Sequence, residues 1–461
     1  MSLSSRQTAG SLERLELALA DVGTRIGRRA ALHDLTNRLD AGRGEKRAEL
    51  SELLLLVDSR GQHGDDEAAL RLGAGRGVRL VLRHARIMTL PPPGRLGHMS
   101  PDSGLAERLA LRTLELVNIS SVSRAEARAA AYVAWAMAGG PCELVHEAGE
   151  TLLYATPRRE GTPLVLLAGH LDTVPAQENI PGRIAGGSVH GLGASDMKGG
   201  IAVMIELARR LAEEEREPGL DLALLFFPRE ELPPAESALP DVFAFCPLVR
   251  EAGLVIVLEP TDNTIQAGCL GNLNVELSFG GESAHSARPW LGVNAIERAV
   301  EGLGHVLPFD PVEVDVSGLR FTEVLSATQI EGGIASNVIP DRAACVLNYR
   351  YAPSRTPAEA EERVRGLLGR AGGEVTILSN SPPAHVAIDS PLVRRLGRAG
   401  GFALEPKQAW TPVAEFAAEG LDAVNLGPGA TRYAHRRDEQ VEIAELVRTF
   451  TALLRFLMES G

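Results

Sequence analysis

Three short apolar runs, residues 164–168, 222–227 and 254–258, constrain the fold of this chain more than any other feature. Each is too short for a helix and apolar on both faces, the pattern of a strand buried in a parallel sheet with helices on both sides. Each also leads into groups that bind cations: His170 and Asp172 after the first, Glu230 and Glu231 after the second, Glu259 after the third. Ligands of open α/β sheets bind outside the carboxyl ends of the strands. The pattern therefore predicts an α/β domain whose site lies where these residues converge.

His170 and Asp172 are two positions apart, so in an extended chain both side chains point the same way. One can ligate a metal through an imidazole nitrogen while the other holds that imidazole from behind. Asp196 lies on a Gly-rich loop ahead of an amphipathic stretch running from about Gly200 to Glu215, where a loop carboxylate can bridge two metals. Taken singly, a His or Asp at a strand end is more often a turn or cap residue, and an adjacent Glu pair is commonly a solvated loop. Their recurrence at successive strand ends, in segments otherwise poor in charge, points instead to a hydrolytic metal site.

The ordered set H-L-D-T-V-P (170–175), G-A-S-D-M-K-G-G (193–200), Glu230-Glu231, L-E-P-T (258–261), A-H-S-A-R-P (284–289) and a final His near the C-terminus resembles the two-zinc aminoacylase and carboxypeptidase superfamily over about residues 105–460. Within it, residues 259–264, 285–294 and 427–435 resemble the actinobacterial type of succinyl-diaminopimelate desuccinylases. The resemblance implies a di-zinc exopeptidase-like α/β catalytic domain with an inserted ferredoxin-like α+β dimerisation (lid) domain. It implies two Zn2+ per subunit, with Co2+ an alternative in one site. His170, Asp196 and Glu259 would hold one ion; Asp196, Glu231 and His435 would hold the other. Asp172 would orient His170, Glu230 would be the general base, and a cis peptide would follow Asp196.

The same resemblance implies a homodimer in which His285 reaches the partner subunit's site as an oxyanion donor and Asn337 also reaches across. Arg350 would bind the succinyl carboxylate of a small anionic substrate, for which a planar guanidinium fork is suited. Arg288 and Arg432 are further anion-binding candidates, with a surface salt bridge the plain alternative for each. The implied reaction splits N-succinyl-LL-2,6-diaminopimelate into succinate and LL-2,6-diaminopimelate, a step toward lysine and peptidoglycan. Another deacylase of the superfamily, acting on acetylornithine or on a small peptide or aminoacyl group, stays open, as does a metal-binding homologue without turnover. The chain departs from the superfamily pattern at Leu192, where Arg is usual, at Pro228-Arg229 before the Glu pair, where an Asp is common, and at 267–271, where the proteobacterial desuccinylases have an Arg-rich turn.

A net charge of −13 disfavours nucleic-acid binding. Cys142, Cys246, Cys269 and Cys345 lack paired spacing, which argues against a disulfide framework or a thiolate zinc site. No apolar run has spanning length and no signal-peptide pattern opens the chain, so a cytoplasmic location without a membrane partner is expected.

Residues 1–98 carry 16 basic and 12 acidic side chains against the acidic excess of the remainder, lack a strong period and contain Pro91-Pro92-Pro93. They read as a disordered leader or a start assigned too far upstream, with Met99 the natural first residue, rather than as a docking appendage. From there the chain divides into a first catalytic part (99–271), a dimerisation or lid domain (272–380) and a second catalytic part (381–461). A helix is expected over Leu105–Val117, and Ser123-Arg124-Ala125-Glu126 reads as a capping box opening a second one that ends near Gly139. Strands at 273–279, 323–330, 343–351 and 374–378, with helices at 293–307 and after Thr356, make the insertion β-α-β-β-α-β. Ser390-Pro391 and residues 441–458 supply the last two helices.

Overall fold

The computed structural model describes residues 104–459 and one two-residue antiparallel ladder, Ala69–Leu70 with Leu80–Val81. The expectations for 1–98 and for Met99 as first residue otherwise fall outside the described residues.

Helix α1 (Leu105–Val117) and helix α2 (Ala127–Met137) open the ordered chain. The predicted capping box at the start of α2 does not form. Arg124 adopts φ 71°, the Glu126 carboxylate accepts the Arg124 N–H, and the Ser123 hydroxyl donates to Asp172 Oδ2 at 2.8 Å. A tertiary acceptor has captured the side chain that local pattern assigned to the helix end.

An edge hairpin of β1 (Glu143–Ala148) and β2 (Thr151–Ala155) leads to the first apolar run, β3 (Leu164–His170). A small hairpin, β4 (Arg183–Ala185) and β5 (Ser188–His190), precedes helix α3 (Gly199–Leu211). The other two runs become β6 (Asp221–Phe227) and β7 (Ala252–Val257), separated by helix α4 (Leu239–Phe245). Strand β8 (Ile265–Cys269) ends this part. Strand β3 pairs in parallel with β6 on one side and β7 on the other, with all seven residues of β3 and of β6 buried. Their side chains feed two cores, one on each face of the sheet. Val165, Leu167, Leu222 and Leu224 pack toward α1, α2 and α3, and Leu166, Ala168, Ala223 and Leu225 pack toward α4.

The chain then leaves for a second sheet. It contains β9 (Gly271–Gly280), the short β10 (Ala284–His285), helix α5 (Ala295–Gly304), β11 (Val312–Val316), β12 (Leu319–Gly332), the short β13 (Val338–Ile339), β14 (Arg342–Tyr351), helix α6 (Pro357–Leu368) and β15 (Glu374–Ser381). The antiparallel order is β11-β12-β14-β9-β15, with β10 and β13 forming a separate ribbon. This is the expected β-α-β-β-α-β order with one added edge strand, β11. It is missed in sequence because Val-Glu-Val-Asp-Val is too short and too charged to stand out. Strand β12 is also longer than the expected 323–330. Leu273, Val275 and Leu277 alternate with half-buried Asn272, Asn274 and Glu276, so one face carries the core under α5 and α6. The helix expected after Thr356 is α6, and Thr356 and Glu359 form a capping box at its start.

Helix α7 (Pro391–Gly400), β16 (Leu404–Lys407), helix α8 (Val413–Ala418), β17 (Ala423–Asn425), β18 (Gln440–Glu442) and helix α9 (Ile443–Met458) complete the chain. The eight-stranded order is β16-β8-β17-β7-β3-β6-β2-β1, so the returning strands β16 and β17 join the first sheet. The four cysteines are buried and free, and among the described residues no helix is long and apolar enough to cross a membrane.

Helix α3 sits close to the site because its first turn is glycine. A Cβ on Gly200 would stand 2.6 Å from the Leu258 carbonyl oxygen and 2.9 Å from Leu258 Cβ. Gly200→Ala should therefore push α3 against the residue preceding Glu259 and lower stability by about 1–3 kcal/mol, the usual cost of overpacking. Urea unfolding of the two proteins measures it.

Candidate metal centre

The carboxyl ends of β3, β6 and β7 lie side by side, and the cation-binding residues meet there. His170 is the last residue of β3; Glu230 and Glu231 follow β6 and Glu259 follows β7 by two positions. Asp196 comes from the tight turn 194–198 that introduces α3, and the peptide Asp196–Met197 is cis, as the resemblance implies. His435 arrives from the far end of the chain, after β17. It has φ 60°, and Arg229, just before the Glu pair, has φ 66°; non-glycine residues in the left-handed region concentrate at sites that over-determine the backbone.

Three groups of side chains have ligand atoms within 4.8 Å of one another: His170, Asp196 and Glu259; Asp196, Glu231 and His435; and His170, Glu230 and Glu231. The first two are the sets expected from the sequence, and Asp196 belongs to both. His170 Nε2 lies 3.1 Å from Asp196 Oδ1 and 4.0 Å from Glu259 Oε1. His435 Nε2 lies 2.9 Å from Glu231 Oε1 and 3.5 Å from Asp196 Oδ2.

Asp172 lies behind His170, its Oδ1 3.5 Å from His170 Nδ1, which also meets the Asp172 carbonyl at 3.1 Å. Its carboxylate also accepts the backbone N–H of Glu230 and of Glu231, each at 3.0 Å, and the Ser123 hydroxyl. One buried carboxylate thus fixes both the imidazole and the loop bearing the Glu pair. Burial alone would raise the Asp172 pKa, but His170, the Glu231 N–H and the Ser123 hydroxyl outweigh it and hold it at about 2.

The remaining charges are under strain of another kind. Burial, and then Glu259, Glu231 and Asp196 nearby, push the Glu230 carboxyl well above its ordinary range against the pull of His170. Burial and Asp196 push Glu259 to about 7. The Glu231 bond, working against burial, raises His435 to about 9. Glu259 Oε1 is buried without a hydrogen-bond partner. An orphaned carboxylate oxygen beside an imidazole, among crowded carboxylates, is the environment that divalent cations relieve, and two imidazoles with three carboxylates are a donor set that zinc accepts.

The other predicted residues lie on the inserted sheet or at the rim. His285, on β10, pairs with Val338 on β13, next to Asn337, and its Nδ1 accepts the Ala287 N–H. His285 and Asn337 are thus brought together on one exposed ribbon, and neither belongs to the three ligand groups. Arg350, on β14, donates through Nε to Asn348 Oδ1 at 2.8 Å. Arg288 is exposed, whereas Arg432 contacts both oxygens of Asp262, at 3.1 and 3.3 Å, and stacks on Tyr433. Ser123 and Glu439, both built into the site, went unrecognised in the sequence. Ser123 was read as a helix cap, and Glu439 follows Arg436-Arg437-Asp438 in what reads as a solvated charge run.

A mixed sheet with a parallel centre, helices on both faces and a carboxylate and imidazole cluster at the ends of its parallel strands defines the class of metal-dependent α/β hydrolases. The sequence pattern of peptidase family M20/M25/M40 matches residues 166–459, and the chain belongs to that family. It is 39% identical over 347 residues to a Mycobacterium tuberculosis protein provisionally named succinyl-diaminopimelate desuccinylase DapE, covering 75% of this chain and 96% of that protein. It is 36% identical over 302 residues to a succinyl-diaminopimelate desuccinylase of Corynebacterium glutamicum, covering 64% of this chain and 81% of the relative. Among solved structures, aminopeptidase PepT from Bacillus cereus superposes with a TM-score of 0.63 at 21% identity, covering 77% of this chain and 98% of that one, a likeness of fold.

In the metal-free protein, Asp172 has a pKa below the ordinary 3.8, so its contribution to stability is present above that value and is lost as pH falls through about 2. The stability gap between wild type and Asp172→Asn should accordingly narrow by about 2 kcal/mol between about pH 6 and pH 2. Denaturant midpoints across that range give the gap; a constant gap contradicts the assignment.

Proposed function

We propose that this chain is a metal-dependent amide hydrolase that cleaves N-succinyl-LL-2,6-diaminopimelate to succinate and LL-2,6-diaminopimelate. The carrying observation is the convergence of two ligand groups on a shared Asp196, in a chain that matches the Mycobacterium tuberculosis relative over 96% of that relative's length. His170, Asp196 and Glu259 would hold one Zn2+, and Asp196, Glu231 and His435 the other. Two such ions, when bound, lower the pKa of water and polarise the amide carbonyl.

Glu230 is the proton carrier. It takes a proton from the attacking water and delivers it to the departing amine nitrogen, and a carboxyl pushed upward by burial is suited to release as well as accept it. Asp172 keeps His170 in one tautomer and fixes the backbone of Glu230. Arg350 would meet the succinyl carboxylate. Because its Nε is engaged by Asn348, its terminal nitrogens are the ones suited to a two-point contact. Arg432, held by Asp262, is a poorer candidate than exposed Arg288.

The molecule acts as a homodimer through the inserted sheet. Beyond Glu323 no described strand pairs with the outer edge of β12, although residues 324–332 pair with β14 on the inner side. Ile330 and Ile334 are exposed, as are Ile296 and Val300 of α5, and Ile296 lies against Gly332 and Gly333. An open strand edge next to an apolar helix face suits a second copy of the same chain. His285 and Asn337 would then act in the partner's site, and a cytoplasmic location is the one proposed.

Turnover of succinyl-diaminopimelate but not of acetylornithine by the zinc-loaded protein tests the substrate. Glu230→Gln should keep both metals and lose turnover about a hundredfold or more, whereas Glu231→Gln should lose metal occupancy. Metal analysis with the two patterns exchanged would reverse the roles. For the dimer, Glu230→Ala and His285→Ala should each be inactive alone. Half of a randomly mixed population then carries one competent site of two, so activity should return to about a quarter of wild type. No recovery in a purified mixed dimer places His285 in its own subunit's site.

A further inference from the structure

We infer that Glu439 is a positioning residue for the metal centre, the anchor that sets the loop carrying Asp196; this rests on the reading of Asp196 as the shared ligand. Glu439 is 2% exposed and belongs to neither ligand group. Its carboxylate gathers three backbone N–H groups from a single loop: Gly193 donates to Oε2 at 2.9 Å, Ser195 to Oε1 at 3.1 Å and Asp196 itself to Oε1 at 3.0 Å. The Gly191 N–H donates to the Glu439 carbonyl at 2.9 Å, and β18, starting one residue later, pairs with β5 on the other side of that loop. The loop otherwise lacks regular structure, with Asp196 at φ −122°, ψ 92° and Met197 at φ −133°, ψ 38°.

The loop bonds two of its own amides, Ala194 N–H to the Gly191 carbonyl and Lys198 N–H to the Gly193 carbonyl, whereas those of Gly193, Ser195 and Asp196 turn to Glu439, and buried N–H groups without acceptors are costly. An anion in the concavity satisfies three at once. Because Glu439 stands four residues after His435, the segment that delivers one ligand also fixes the backbone of the ligand common to both groups. A displaced Asp196 loop would therefore weaken both sites together, whereas loss of His435 would affect one.

The contacts distinguish the substitutions. In Glu439→Gln, one amide oxygen still accepts from Ser195 and Asp196, but an NH2 group faces the Gly193 N–H. Glu439→Ala loses all three contacts. The full-length metal-free proteins are titrated with Co2+, read by its visible absorption, with Asp196→Asn as the reference. Both equivalents should bind about tenfold more weakly in Glu439→Gln and up to about a hundredfold more weakly in Glu439→Ala, the usual range when a group supporting a ligand is lost. The melting temperature of metal-free Glu439→Gln should stay within a few degrees of wild type. A purely structural role would give the opposite pattern, a lowered melting temperature with affinity unchanged, and overturns the inference, as does wild-type affinity in both variants. Should Glu439→Ala not fold, Glu439→Gln alone decides. Wild-type affinity in Asp196→Asn would instead defeat the metal-ligand reading itself, so the two failures are separable.

Discussion

Repulsion among carboxylates at the ends of three neighbouring strands is the constraint on which the rest of the structure depends. Asp196, Glu230, Glu231 and Glu259 all contribute to groups with ligand atoms within 4.8 Å of one another. Two like charges about 4 Å apart repel by ~4 kcal/mol at an effective dielectric of about 20, and a domain's whole net stability is about 5–15 kcal/mol. Four such carboxylates cannot all be ionised and unpaired in a stable fold. Protons relieve the repulsion in the metal-free protein: burial first, and then the neighbouring carboxylates, make Glu230 and Glu259 titrate high. Cations would relieve it without protons, which would leave Glu230 free for the proton transfer proposed for it.

The repulsion has to be resisted by the backbone as well as neutralised. Asp172 holds the Glu230–Glu231 loop through two N–H groups, and Glu439 holds the Asp196 loop through three. The same device appears on both sides of the site: a buried carboxylate turned away from the ligand atoms and solvated by main-chain amides. Buried main-chain N–H groups need an acceptor, so each anchor can hold a loop that has no ladder of its own.

How much of this was legible in the sequence follows from where the signal is local. The three core strands were readable because burial on both faces leaves an uninterrupted apolar run; His170, Glu231 and Glu259 were readable because each follows such a run, and Asp196 because of its Gly-rich loop. His435 has no such strand before it, and resemblance rather than pattern placed it. Ser123 is misread and Glu439 passed over for one reason: their partners, Asp172 and the 193–196 loop, are 49 and more than 240 residues away. The capping-box pattern at 123–126 is a statement about neighbours, and a distant buried carboxylate offered the hydroxyl a better acceptor. Strand β11 escaped notice because it alternates Val with Glu and Asp over only five residues, and its pairing with β12 comes from a tight turn at Ser317–Gly318, both at positive φ.

The inserted sheet shows how one strand can serve two purposes. At its start β12 belongs to the catalytic body: Leu319 and Phe321 lie in the same core as β3 and α3, and Thr322 exchanges two hydrogen bonds with Gln408. At the next turn of the strand Glu323 is fully buried, accepting from the Ala352 N–H, Arg355 and the Tyr349 hydroxyl. Such a buried, multiply bonded carboxylate fixes the base of the sheet, since losing the Arg355 guanidinium would strip it of its closest countercharge. Past Glu323 the outer edge has no described partner, and the residues become exposed through Gly332. The ribbon bearing His285 and Asn337 branches from the same sheet, so the group proposed to complete a neighbouring site is held by the element proposed to pair the subunits.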